Sequence, residues 1–181
     1  SISELDISIM VASQAQVRNY IRPNISDDKI LEIIDGRHPV VENQMISSEN
    51  SFISNHCILN ESDYIWLITG PNMAGKSTYL RQNALIVIMA QAGLYVPAKE
   101  ANIGIFDKIF SRVGASDDLA KGQSTFMIEM IETSAILNTS TERSLVILDE
   151  IGRGTATFDG LAIAWSVLDY LHNKIKPRTL F

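Results

Sequence analysis

The stretch that most constrains the fold runs from Tyr64 to Leu80, YIWLITGPNMAGKSTYL. Residues 64–68 are apolar, rich in β-branched and aromatic side chains and without alternation, which is typical of a strand buried on both faces. Residues 70–77 match the pattern G-x-x-x-x-G-K-[ST] at every fixed position. An apolar helical pattern follows directly. This order of strand, glycine loop and helix predicts a loop that holds phosphate groups.

Each fixed residue of the loop meets a physical need of phosphate binding. Gly70 and Gly75 lack a Cβ, so the backbone can curl and direct its N–H groups inward. The helix that starts near Lys76 adds unpaired N–H groups and the positive end of its dipole. Lys76 can reach the β and γ phosphates, and the Ser77 hydroxyl can hold Mg²⁺. The predicted ATP-binding residues are Gly70, Pro71, Asn72, Met73, Ala74, Gly75, Lys76, Ser77 and Thr78.

A second informative stretch is SLVILDE at residues 144–150. Its apolar residues run directly into Asp149 and Glu150, and a buried strand would place both carboxylates at the carboxyl edge of a parallel sheet, where ligands bind. The alternative is an acidic surface turn, which the glycine-rich sequence from residue 152 disfavours. At the sheet edge Asp149 could hold Mg²⁺ with Ser77, while Glu150 could orient and deprotonate the attacking water.

Residues 114–123, GASDDLAKGQ, are small and polar, and we expect this segment to be mobile without a partner. A helix is predicted from Ser124 or Thr125 to Asn138, with one of the two hydroxyls as its cap. The same hydroxyls and helix end could instead be directed at a phosphate. Composition alone supports both interpretations equally.

Bulk composition bounds the class of protein. The 181 residues suit one domain with room for an appended piece. The net charge is −6 and there is no Lys/Arg run, so this segment does not present a nucleic-acid-binding surface by itself. The single cysteine, Cys57, excludes an internal disulfide and fits a reducing, intracellular setting. We find no membrane-spanning run, signal peptide or initiator methionine, and we expect a piece of a longer protein.

The remaining pattern predicts an α/β fold with a mostly parallel sheet, helices on both faces and a leading helix over residues 1–20. His38, which precedes a proline, is predicted to be structural and to lie in an extended loop. Apolar stripes are predicted on three helices. Their members are Ile2, Leu5, Ile9 and Ala12; Leu80, Ala84, Val87 and Ile88; and Leu161, Ala164, Trp165, Leu168 and Leu171.

Five stretches together resemble the ATPase domain of the MutS family of DNA mismatch repair proteins. They are GRHPVVE at 36–42, TGPNMAGKSTYLRQ at 69–82, YVPA at 95–98, SRVGASDDLAKGQSTFMIEM at 111–130 and LDEIGRGTATFDGLAIAW at 148–165. Residues 1–22 look like the end of the lever helix that leads into this domain, and residues 23–181 look like the ATPase domain, truncated at its carboxyl end. Ala74 stands where many members of the family have glycine.

The resemblance implies a P-loop NTPase fold of the ABC type, with composite sites formed between two subunits. Ser124, Thr125 and Met127 would then act in trans on the partner's nucleotide, which favours the functional interpretation of the helix start. Phe52 sits where the family stacks an aromatic ring on adenine, the alternative being a phenylalanine in a core strand. Asn72 is similar to the family residue that helps sense the γ phosphate.

The resemblance further implies a Mg²⁺-dependent ATPase that binds ATP and ADP, with Lys76, Asp149 and Glu150 as catalytic residues. Its setting would be a bacterial, cytoplasmic homodimer that works with MutL, binds mismatched DNA through upstream domains and couples ATP hydrolysis to clamp switching. The alternatives are a nucleotide-gated dimerisation module with negligible turnover, and a recombination-type member of the family. A different ABC-type DNA-repair or chromosome ATPase is disfavoured by the sequence GQSTFM at 122–127.

Overall fold

The computed structural model describes residues 1–45, 51–71, 74–113 and 125–181, with the side chain of Thr125 left out. The predictions for Asn72, Met73, Ser124 and the segment 114–123 fall outside these residues. In chain order the elements are α1 (Ile2–Arg18), β1 (Asn24–Ser26), β2 (Leu31–Gly36), α2 (Pro39–Met45), β3 (Asn55–Leu59), β4 (Ile65–Trp66), α3 (Lys76–Gln91), β5 (Glu100–Gly104), β6 (Ile109–Arg112), α4 (Thr125–Thr139), β7 (Leu145–Leu148), α5 (Thr157–Tyr170), a π-helical turn (Leu171–Ile175) and β8 (Arg178–Leu180).

The described residues form two compact units. The first consists of Ser1–Glu61 and Arg81–Ile105, and the second of Ser62–Leu80 and Phe106–Phe181. Each unit contains one four-stranded sheet. The predicted division at residue 22 concerns domains of a longer protein and stays a prediction.

The first unit is built on a mixed sheet with the strand order β1-β5-β2-β3. Strand β1 is parallel to β5, whereas β2 is antiparallel to both β5 and β3. Leu31 and Ile33 on β2 and Cys57 on β3 are completely buried. The mostly parallel arrangement predicted from the sequence therefore does not describe this unit, and β1 and β5 were not predicted at all.

The leading helix α1 has the capping box that its first residues predict: the Ser1 hydroxyl accepts the Glu4 N–H, and the Glu4 side chain contacts the backbone of Ser1. Its apolar stripe is exposed, with Ile2 at 89% and Ala15 as the only buried residue of the helix. Local sequence signals thus determine this helix more than burial does.

His38 lies in the short loop between β2 and α2, in agreement with the prediction of a loop, but helix α2, which Pro39 opens, was not predicted. Proline is favoured at a first helical position, where no N–H is needed. The His38 side chain acts as the cap, since its Nδ1 accepts the N–H groups of Val40 and Val41 at 3.3 Å each. His38 is also buried, and burial lowers the pKa of its imidazole. This arrangement agrees with the predicted structural role of His38.

The second unit contains an all-parallel sheet with the order β4-β8-β7-β6. All four residues of β7 are buried, as its unbroken apolar run predicts. The core cluster of this unit consists of Ile136, Val146, Leu148, Val167 and Leu171. The parallel sheet and the buried strand before the two carboxylates are therefore confirmed here, while helices on both faces stay a prediction.

Two of the predicted apolar stripes are partly wrong. On α5, Leu161 and Trp165 are 65% and 69% exposed, and the buried positions of the helix are Gly160 and Val167. On α3, Ile88 is 50% exposed. Helix α5 is apolar on most of its circumference, so periodicity alone could not select the buried face. A close backbone contact at Gly160, described below, makes that choice.

Candidate functional site

The glycine loop connects β4 to α3 within the second unit. Gly75 has a φ of 87°, a left-handed conformation that side chains rarely adopt, and a Cβ there would meet no atom within 4 Å. Glycine is therefore required by backbone conformation rather than by space. Helix α3 begins at Lys76, and its first bond runs from Tyr79 N–H to the Gly75 carbonyl at 2.9 Å. The N–H groups of residues 76–78 precede that bond and have no acceptor within the helix.

Lys76 lies across this loop. Its Nζ donates to the Gly70 carbonyl at 2.5 Å and to the Pro71 carbonyl at 3.4 Å. The ammonium therefore lies against the backbone at the start of the glycine loop.

Ser77 and Asp149, the two predicted Mg²⁺ ligands, are 72 residues apart in sequence and touch in the structure. The Ser77 hydroxyl donates a short hydrogen bond to Oδ2 of Asp149. Asp149 is only 8% exposed, and its N–H donates to the Arg112 carbonyl at 2.8 Å. The carboxylate of Asp149, the residue directly after β7, therefore contacts the first turn of α3.

A hydroxyl beside a carboxylate is a donor set that fits Mg²⁺, which prefers oxygen ligands. No group of three or more His, Cys, Asp or Glu side chains in the described ranges could hold a metal ion by itself. Mg²⁺ usually takes one or two carboxylates together with substrate phosphates and waters, so Ser77 and Asp149 would supply only part of its ligands.

Glu150 is the residue after Asp149 and is held in an unusual conformation. Its φ is 57°, which costs a non-glycine residue about 1–2 kcal/mol. The side chain is 37% exposed, and Arg153 donates to its Oε2 at 2.5 Å. Glu150, Asp149 and Lys76 line one cavity of about 230 Å³, together with Phe181. The structure therefore brings the three predicted catalytic residues together.

The loop that follows β7 depends on residues that sequence reasoning missed as site residues. Glu129 on α4 is buried, and its Oε1 accepts the Gly152 N–H in a short hydrogen bond. Arg112 at the end of β6 is also buried; its guanidinium lies 3.8 Å from Glu129 and 2.9 Å from Glu132. The i, i+3 spacing of the two acids on one predicted helix was the available signal.

The other predicted site residues are less constrained. Thr78 is half-buried in the first turn of α3, and Met127 on α4 is 56% exposed. Phe52 is half-buried ahead of β3 in the first unit, so its proposed place against adenine stays a prediction. Ser124 and Thr125 in the trans role also stay predictions.

Size alone does not identify the site. A larger cavity of about 690 Å³ lies in the first unit, lined by Arg22, Asn24 and Tyr95 among others. Its lining contains no acidic side chain and no part of the glycine loop.

Among the residues that the structure describes, no helix combines the length and the apolar character needed to cross a membrane.

The second unit therefore defines a class: an α/β protein whose candidate site lies where a glycine loop meets an acidic strand end of a parallel sheet. The family model for MutS domain V matches residues 66–181. Over all 181 residues the chain is 60% identical to the "DNA mismatch repair protein MutS" of Rickettsia bellii (strain RML369-C), and equally to that of Rickettsia rickettsii (strain Sheila Smith). The chain thus belongs to the MutS family, as its motifs predict. It spans 20% of the length of these relatives.

Proposed function

We propose that this chain is the ATP-binding and ATP-hydrolysing domain of a MutS-type DNA mismatch repair protein. The observation that carries the proposal is the contact between the Ser77 hydroxyl and the Asp149 carboxylate. It joins the glycine loop to the acidic strand end, and these two parts together form the phosphate and metal site of a P-loop NTPase. The match to MutS domain V supports the same proposal.

In this proposal the loop 70–77 and the amino end of α3 bind the triphosphate. Backbone N–H groups and the Lys76 ammonium supply the positive charge, and the helix dipole adds to it. Ser77 and Asp149 would hold Mg²⁺, which neutralises negative charge on the phosphates when it is bound.

Glu150 is the proposed general base. Its carboxylate orients a water molecule in line with the γ phosphorus and accepts one of its protons as the new P–O bond forms. The bond between the γ phosphorus and the bridging oxygen breaks, and ADP keeps the electron pair. A carboxylate that follows a strand end and is 37% exposed can reach such a water.

Further parts of the proposal rest on the family resemblance. The fold is of the ABC type, and the site is completed by Ser124, Thr125 and Met127 of a second copy of this chain. Phe52 stacks on adenine. In the longer protein, which acts in the bacterial cytoplasm, ATP binding and hydrolysis switch a clamp on mismatched DNA bound by upstream domains and regulate its work with MutL.

The first experiment titrates ATP with Mg²⁺ and measures hydrolysis over a range of protein concentration. Lys76→Ala should weaken ATP binding by about 10- to 150-fold, because a hydrogen bond to a charged group contributes about 1.5–3 kcal/mol. Lys174→Ala removes the same charge from an exposed position of the π-helical turn and is the matched control. Equal ATP affinity in the two variants would contradict the proposed binding of phosphate by the loop 70–77 and Lys76.

Glu150→Gln should leave ATP binding intact and lower the hydrolysis rate by about 10²- to 10⁴-fold, the usual contribution of a general base. Glu61→Gln, at an exposed turn, controls for the loss of one negative charge. Hydrolysis by Glu150→Gln at the unmutated rate would show that another group takes the proton.

The concentration series separates the proposal from its alternative. Turnover that rises faster than linearly with protein concentration indicates sites completed by a second copy. Tight binding without turnover at any concentration would instead support a nucleotide-gated dimerisation module.

A further inference from the structure

We infer that Glu129 is a positioning residue for hydrolysis: its buried carboxylate fastens the loop that carries Glu150 to helix α4. The inference deepens the proposed function and rests on it, because it takes Glu150 to be the group that activates water. The contacts that carry it all lie within the second unit.

The loop after β7 is held on both sides of Glu150. Before it, Asp149 donates its N–H to the Arg112 carbonyl at 2.8 Å and accepts the Ser77 hydroxyl. After it, Ile151 packs against the core cluster. A residue with a φ of 57° persists only where its surroundings over-determine it. The neighbours of Glu150 therefore maintain its conformation.

Gly152 is a further anchor of this loop. Its N–H donates to Oε1 of Glu129, and a Cβ at Gly152 would lie 2.5 Å from the carbonyl oxygen of Gly160 on α5. Two residues later, a Cβ at Gly154 would lie 2.9 Å from Cβ of Phe126 on α4. The loop therefore packs closely against α4 and α5, and the Glu129 carboxylate supplies a polar contact between the loop and α4.

Glu129 is in turn held by charge. Its side chain is 4% exposed. The Arg112 guanidinium lies 3.8 Å from its Oε2 and forms an ion pair with the more exposed Glu132 at 2.9 Å. The backbone of the same Arg112 holds Asp149. A closed circuit of contacts thus runs from Asp149 through Arg112 and Glu129 to Gly152, and Glu150 lies in the stretch that this circuit holds.

If Glu129 only supported folding, its replacement would lower stability, ATP binding and hydrolysis together. A positioning role predicts instead that hydrolysis falls while ATP binding stays the same. ATP binding depends on the loop 70–77, and none of the residues that the structure describes in that loop forms a hydrogen bond or ion pair with Glu129, whereas hydrolysis depends on where Glu150 points. A displacement of about 1 Å at a catalytic group costs about 100-fold in rate.

The test uses shortening by one methylene at two positions of the same helix. Glu129→Asp keeps the negative charge beside Arg112 but withdraws the oxygen from Gly152; Glu132→Asp shortens the other acid that contacts Arg112 and is the control. Glu129→Gln keeps both the length and an acceptor oxygen. For each variant we would measure the dissociation constant for Mg²⁺ and ATP, the single-turnover hydrolysis rate, and amide exchange in residues 149–154.

We expect Glu129→Asp to hydrolyse ATP about 100-fold more slowly with its dissociation constant changed by less than about twofold. Amide exchange in residues 149–154 should rise at least tenfold, and Glu129→Gln should restore most of the rate. Glu132→Asp should resemble the unmutated protein in every measurement. Should Glu129→Asp fail to fold, Glu129→Gln decides, since it must keep both slow exchange and hydrolysis.

Unchanged exchange and unchanged hydrolysis in folded Glu129→Asp would overturn the inference, as would parallel losses of binding and hydrolysis. Loss of hydrolysis in Glu129→Gln with slow exchange retained would assign the effect to charge and overturn it too. If the unmutated protein binds ATP but never hydrolyses it, the proposed function fails first, and the exchange data still show whether Glu129 holds the loop.

Discussion

Replacing Gly160 with alanine should destabilise the protein, although the same change in an ordinary helix is stabilising. Gly160 lies in the first turns of α5, where its backbone packs directly on the loop after β7. A Cβ at this position would overlap the carbonyl oxygen of Gly152 and lie 3.2 Å from its carbonyl carbon. Both obstructing atoms belong to the backbone, so no flexible side chain can move away.

Two opposing terms set the magnitude. Alanine should favour the helix over glycine by about 0.5–1 kcal/mol. Forcing a methyl group into a closed contact usually costs about 1–3 kcal/mol, and a backbone obstacle favours the upper part of that range. We therefore expect a net loss of about 1–2 kcal/mol, equivalent to a fall of about 2–8 °C in the melting temperature of a chain of this size.

Urea unfolding followed by circular dichroism measures this loss, with the dependence on urea concentration compared between variants. Ala162→Gly is the matched control, because Ala162 is exposed on the same helix and its replacement should cost about 1 kcal/mol through propensity alone. Both substitutions should thus destabilise, although they are opposite changes. A higher unfolding midpoint for Gly160→Ala would refute the contact between α5 and the loop.

Two further predictions concern stability. Burial lowers the pKa of His38. The charge of Arg81 lowers this pKa as well, whereas a backbone hydrogen bond raises it. The unfolded chain therefore takes up a proton below about pH 6.5, while folding favours the neutral form of His38. Stability should fall as the pH drops below that value, and His38→Asn, which retains a capping acceptor, should remove much of this dependence; an unchanged pH profile would contradict the argument. Leu148→Ala should lower the free energy of unfolding by about 2–5 kcal/mol, because Leu148 is only 1% exposed. Leu161→Ala should lower it by less than about 0.5 kcal/mol, because Leu161 is 65% exposed. Similar unfolding midpoints for the two variants would show that the assigned core face of α5 is wrong.

The site could be predicted from the sequence further than the fold could. Phosphate and metal chemistry demands particular residue types at fixed spacing, which predicted that Lys76, Ser77, Asp149 and Glu150 lie together. The structure brings them together, while their roles stay predictions. The buried strand β7 was equally readable, since an apolar run that ends in two acids admits few structures.

What failed depends on contacts between distant parts of the chain. Helix α2 was missed because His38, an unusual cap, supplies the acceptor that serine or aspartate normally provides. The buried face of α5 was missed because two glycines, not apolar spacing, select it. Glu129 was missed because its role depends on the position of Gly152 in space.

The ion pair between Arg153 and Glu150 divides the molecules into two states, one with the pair closed and one with the pair open. While the pair is closed, Arg153 occupies Oε2, so proton transfer to that oxygen requires the state in which the pair is open. Arg153 is 75% exposed, and pairs of this kind contribute at most about 1 kcal/mol. The open state is therefore populated in about one molecule in six or more, and the pair can slow hydrolysis by no more than about sixfold. Salt screens the pair and should reduce even this effect, so Arg153 restrains the proposed base only weakly.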